Sequence, residues 1–159
     1  DAKGLNWGIW IVTEGEKRLI GISALDDIER THIPQATSGS LIFDQSSWGK
    51  GIASSAHKAR TWYGFHHMGL VRIKSAVIHG NKGSRIALGR SGYFLHSVER
   101  NVDFFDGHSR HMDNLECLNP ADWAWRQWWG TDRPSVLARK ARIDTRQTMD
   151  WAENNVILL

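Results

Sequence analysis

Cysteine is nearly absent from this chain. The single Cys117 excludes an internal disulfide and any zinc centre built on several thiolates. A lone thiol also fits a reducing, cytoplasmic setting. Proline occurs three times in 159 residues, so no proline-rich linker divides the sequence. No apolar run approaches the roughly 18–20 residues that cross a bilayer, and no membrane partner is expected. The opening Asp1-Ala2-Lys3-Gly4 carries no signal-peptide pattern and no initiator Met, which suggests a fragment or a processed chain. The phosphate-binding pattern of the Walker A loop is missing. The Gly-x-Gly at Gly49 and Gly51 lacks the third glycine of a dinucleotide fingerprint.

What is present is a globular composition, with 41% hydrophobic and 23% charged residues, enough to build a real core. Tryptophan is abundant at nine, and four of these crowd into Trp123–Trp129. The net charge of +3 conceals a pattern: residues 45–100 carry nine basic side chains against one acidic, whereas the flanking segments 1–44 and 101–120 are acidic. A positive field concentrated in mid-chain attracts an anion such as a phosphorylated cofactor or a nucleic acid.

Apolar stretches at Trp7–Thr13 and Arg18–Leu25, split by Glu14-Gly15-Glu16-Lys17, predict a β-hairpin. Asp26–Pro34 reads as loop, and Thr37–Asp44 as a strand ending in Leu41-Ile42-Phe43. After a small, glycine-rich turn the period changes: Ile52, Ala56, Ala59 and Tyr63 recur at helical spacing, with Lys58 and Arg60 off that face. This helix is expected to end near His66 or His67, before Gly69. Val71–His79 predicts a strand and Asn81–Ser91 a helix stopped by Gly92. Tyr93–Glu99 and Met112–Leu118 predict a final strand pair, and Ala121–Trp129 and Ser135–Glu153 two helices. The order is that of a mixed α/β domain with at least one crossover unit.

The strand-to-helix turn at residues 44–53 carries the chemistry. Gly49 and Gly51 let backbone N–H groups approach a ligand, and the following helix adds free N–H groups and the positive end of its dipole. That combination suits a pyrophosphate. Further along stand Gly69-Leu70-Val71-Arg72-Ile73, Asn81-Lys82-Gly83-Ser84 and Ser91-Gly92-Tyr93. This ordered series resembles the GNAT superfamily of acyl-CoA-dependent N-acyltransferases, most of all its RimJ/RimL-like branch. The likeness runs from about Gly8 to Trp123 and is strongest over residues 41–100.

The resemblance implies a GNAT fold: a central, mostly antiparallel sheet with one splayed parallel strand pair, flanked by helices. It implies an acyltransferase domain over residues 1–120 and a Trp-rich helical extension over 121–159. It implies acetyl-CoA as cofactor and a primary amine, a protein N-terminus or a small molecule, as acceptor. Leu41, Ile42 and Phe43 would pair through their backbone with the pantetheine arm. Trp48, Gly49, Lys50, Gly51, Ile52 and Ala53 would wrap the pyrophosphate, and Asn81 and Ser84 would contact the arm from the second helix. Three departures stand out. Ser46 occupies a position where the family often has Gln or Arg. Leu88 occupies one where many members carry an acidic-proton Tyr. The strand and two helices that usually precede the first hairpin are missing.

For proton transfer the candidates are Asp44, directly after the cofactor strand, with Ser91 or Tyr93 in place of the missing acid. Glu29 reads rather as a loop charge. His66-His67 suits a helix-end cap, and His108-Ser109-Arg110-His111 lacks a third ligand, so no metal is expected. Cys117 reads as a strand core residue, and the tryptophan cluster as core or a homodimer interface. Acidic neighbours of Arg139-Lys140-Ala141-Arg142 argue against nucleic acid. The competing reading is a non-catalytic module of the same fold that binds CoA or nucleic acid.

Overall fold

The computed structural model describes residues 3–158. Six strands form one sheet: β1 (Leu5–Thr13), β2 (Glu16–Glu29), β3 (Gln35–Ile42), β4 (Arg72–Ile78), β5 (Phe94–Phe105) and β6 (His108–Leu118), in the order β1-β2-β3-β4-β6-β5. Every neighbouring pair is antiparallel except β3 and β4. Four helices complete the domain: α1 (Ile52–Trp62), α2 (Lys82–Gly89), α3 (Asp122–Trp129) and α4 (Val136–Asn155). The expected mixed α/β architecture with a splayed parallel pair is therefore the observed one.

The elements lie close to their expected places, and the differences have local causes. β2 runs on through Glu29, over part of the expected loop, because Leu25 and Ala24 are buried and β3 pairs alongside as far as Glu29. The last hairpin is longer at both strands than expected, its turn at Asp106-Gly107 being two residues with positive φ. α1 passes into a π-helical turn over Tyr63–His67 before Gly69 stops it.

α1 and α2 pack on one face of the sheet, around Leu25, Ala36, Phe65, Leu70, Ile73, Val77, Leu88 and Leu115. Cys117 is fully buried there, as expected, and burial pushes its thiol up to about 12. α4 packs on the same side. Gly92 (φ +93) lies so close to it that a Cβ would sit 2.0 Å from Thr145 Oγ1. α3 covers the lower end of the opposite face, where Trp125 joins Leu118 and Ala138, with Trp128 and Trp129 against them. Most of the tryptophan cluster thus serves packing. The rest of that face is open.

Candidate active site

β3 and β4 pair only over Gln35–Ser38 and Arg72–Ser75. Beyond this, β3 continues to Ile42 with β2 on its far side, and β4 continues to Ile78 with β6 on its far side. Gly39–Ile42 and Ala76–Ile78 therefore have no strand partner across the split, and a ligand with amide groups can supply one. Leu41 and Phe43 are exposed at this opening. Gly39 and Ala76 are the first residues past the split, and a Cβ on Gly39 would meet nothing within 4 Å.

The loop after β3 is shaped by Asp44. Its carboxylate accepts from Ser46 N at 3.1 Å, Ser46 Oγ at 2.7 Å and Ser47 Oγ at 2.7 Å, which closes a 3-10 turn at Gln45–Ser47. Trp48 donates from its indole to the Ile42 carbonyl at 2.9 Å and leaves most of its ring in solvent. Gly49 (φ 75) and Gly51 (φ 78) then turn the chain into α1. The first intrahelical bond runs from Ser55 N to Gly51 O, so the N–H groups of Ile52, Ala53 and Ser54 have no partner within the helix. Lys50 sits between the glycines. This is an anion cradle built of backbone. Across the split, Asn81 caps α2 by accepting from Ser84 N at 3.1 Å, which leaves its amide NH2 to donate. Leu41–Phe43 and the Trp48–Ala53 loop thus follow the free end of β3, and Asn81 and Ser84 follow the free end of β4.

The three residues expected to handle protons are placed otherwise. Hydrogen bonds from Ser47 and Ser46, with Arg18 at 2.5 Å, hold the Asp44 carboxyl far below the usual carboxylate range. Such a group is a cap and accepts no proton near neutrality. Ser91 is fully buried and donates to the Ala87 carbonyl at 3.2 Å. Tyr93 is buried with its hydroxyl 3.1 Å from Thr61 Oγ1, and burial raises its phenol. Both are buried on the helix-packed side, Tyr93 also close to Ser38. Leu88 is also buried in the core. Glu29, expected in a loop, ends β2 opposite Gln35 and accepts from the hydroxyl and N–H of Thr31. His66 stacks on Trp62, and His67 meets the same ring edge to face.

Two features escaped the sequence. Arg60, expected to face solvent, is buried. It donates from Nη1 to Gly39 O at 2.8 Å, Ser40 Oγ at 2.6 Å and Ser23 Oγ at 3.0 Å, and from Nη2 to His57 Nδ1 at 2.7 Å. Burial, and then the Arg60 charge, drives His57 down to about 3, so the imidazole is a neutral acceptor. The second is Glu116. Register places this buried carboxylate beside Lys74, one row before the last β3–β4 pair, Ser38–Ser75. Arg72 holds it at 3.3 Å while also binding Gln35 and stacking on Trp128. Nothing in local periodicity marks a carboxylate that matters only through cross-strand neighbours.

The family model for the GNAT acetyltransferase domain matches residues 1–93. The chain belongs to the GNAT acetyltransferase family. Membership carries the family reaction, acetyl-CoA-dependent N-acetylation of an amine. Among solved structures, this GNAT domain is similar to a chimera of the spermidine N-acetyltransferase SpeG from Vibrio cholerae with hSSAT. There the TM-score is 0.64 at 20% identity, covering 74% of this chain and 68% of that one. It is similar to RimJ from Mycobacterium smegmatis, solved with CoA-disulfide, with TM-score 0.65 at 22% identity, covering 79% and 59% respectively. It is similar to Vibrio cholerae spermidine N-acetyltransferase, solved with CoA and spermine, with TM-score 0.60 at 22% identity, covering 65% and 60%. At these identities the likeness shows the fold. No curated protein matches the chain. No helix among the described residues is long and apolar enough to cross a membrane.

Proposed function

We propose that this GNAT domain is a cytoplasmic N-acetyltransferase of the RimJ/RimL-like branch, acting on a primary amine that enters from the open face of the sheet. Acetyl-CoA supplies the activated acetyl thioester. The N–H groups of Gly49–Ala53, with Lys50, hold its diphosphate. The unpaired edge of Leu41–Phe43 binds its amide arm as an added strand would, and Asn81 and Ser84 fix the arm from α2. A backbone N–H on β3 past Ser38 polarises the acyl carbonyl.

The amine must lose a proton. Asp44, Ser91 and Tyr93 are committed to a cap and to the core, so the reading assigns proton acceptance to Glu116, directly or through water. Its support is position: Glu116 sits opposite Lys74, one row before the last β3–β4 pair at Ser38–Ser75. The observation carrying the whole reading is the coincidence of the β3–β4 split with the glycine loop at the N-terminus of α1.

Calorimetric titration with acetyl-CoA at low and moderate salt tests it. Saturable binding that survives moderate salt, followed by amine-dependent release of free thiol, is expected. A folded protein with no affinity for acetyl-CoA would overturn the cofactor assignment. Binding without thiol release to any amine would leave a CoA-holding module in place of an enzyme.

A further inference from the structure

A cavity of about 480 Å³ lies between α1, α4 and the first hairpin. Its walls include Trp7, Trp62, Tyr63 and Trp151, with Ser23 and Arg60 among the few polar residues. No residue of β3, β4 or α2 lines it, and Ile52 at the start of α1 is the one residue it shares with the cofactor loop.

The electrostatics of this cavity are unbalanced. Arg60 is 3% exposed, and among the described residues no carboxylate pairs with it. All its partners are neutral: a carbonyl, two hydroxyls and an uncharged imidazole. Its Nε–H has no partner, and neither does the buried indole N–H of Trp62. A buried guanidinium without a counterion is costly. A bound anion supplies the missing counter-charge. The four aromatic rings favour a flat apolar body, with Trp7 and Tyr63 already meeting edge to face at 5.5 Å. A cationic ligand, which such rings would otherwise suit, is repelled by Arg60.

We propose that this cavity binds a small aromatic carboxylate, its ring among Trp7, Trp62, Tyr63 and Trp151 and its carboxylate directed to Arg60 and Ser23. The site is independent of the acetyl-transfer reading. The size of the cavity is that of ordinary small-molecule sites.

Calorimetry with indole-3-acetate and its neutral isostere indole-3-acetamide tests the assignment on the intact chain. The acetate is expected to bind saturably and at least tenfold more tightly than the amide. Arg60→Met should erase that difference. Ser55→Trp, at an exposed α1 position that lines the cavity, should weaken the acetate at least tenfold without disturbing the guanidinium. If Arg60→Met fails to fold by circular dichroism, Ser55→Trp decides alone. Equal affinity for acetate and amide overturns the carboxylate class. No saturable binding to the folded protein, undiminished binding in Ser55→Trp, or complete displacement by CoA overturns the site.

Discussion

Arg60 on α1 donates to the carbonyl of Gly39 at 2.8 Å, at the first residue of β3 beyond its pairing with β4. The contact ties the helix that begins at the glycine loop to the strand that borders the opening. One buried side chain thus braces two parts of the cofactor cleft. The strand split persists because each strand is held from its other side, β3 by β2 and Arg60, β4 by β6.

The glycine loop can be broken without breaking the fold. Gly49 has φ 75, and a Cβ built there meets nothing within 4 Å. Gly49→Trp is expected to cost only about 1–2 kcal/mol of backbone strain. It should nevertheless abolish acetyl-CoA binding by covering the loop N–H groups. Circular dichroism and calorimetry on the same sample check this, and unchanged affinity would remove the loop from the site.

Glu116→Gln separates a proton acceptor from a structural carboxylate. The variant keeps the hydrogen bond from Arg72 and loses the capacity to take a proton. A fall in kcat of roughly 10²–10⁴-fold with little change in acetyl-CoA affinity is expected, together with loss of the acidic limb of the pH–rate profile. An unaltered profile would assign Glu116 to positioning Arg72.

Stability should depend on His57 in mildly acidic solution. Its folded pKa of about 3 lies below the ordinary 6.5, so the unfolded chain binds the proton first. The stabilisation is complete above pH 6.5 and declines as pH falls toward 3. Between about pH 6.5 and 4.5 the loss amounts to about 2–3 kcal/mol. Asp44, also depressed, loses its contribution only below its ordinary value of 3.8, outside that window. Urea denaturation across this range checks the slope, and His57→Gln should flatten it.

Gly92 reports the docking of α4. A side chain at this position meets the Thr145 backbone at 2.9 Å in a conformation of φ +93. Gly92→Val is expected to cost about 3 kcal/mol or more, through overpacking and strain together. Limited proteolysis should show cleavage within α4 ahead of the sheet. Equal protection of α4 and the sheet would show that the helix finds another seat.

Local signals carried much of this protein. Alternation and helical spacing placed all six strands and four helices, because most of them bury one face at the period of the element. Gly49, Gly51, Gly92 and Gly107 marked their turns because positive φ is a property of a few residues and their neighbours. The cofactor opening was legible for the same reason: it is built mostly of backbone, and its glycines and its N-cap Asn81 act within a few residues.

Side-chain roles set by distant partners were not legible. Asp44 looked available in sequence, and Arg18, Ser46 and Ser47 commit it to a cap. Tyr93 and Ser91 looked close to the cleft, and α4 with the core enclose them. Arg60 looked like a solvent-facing charge on a helix. Its surroundings come from Ser23 on β2, Gly39 and Ser40 on β3 and His57 on α1, residues up to 37 positions away. A charge can be buried only where such partners meet, and that meeting is a property of the sheet register and helix packing. The amino-acid order therefore determined the elements and the anion cradle, and the tertiary structure alone decided which titratable groups face the chemistry, because their environment is assembled across the chain.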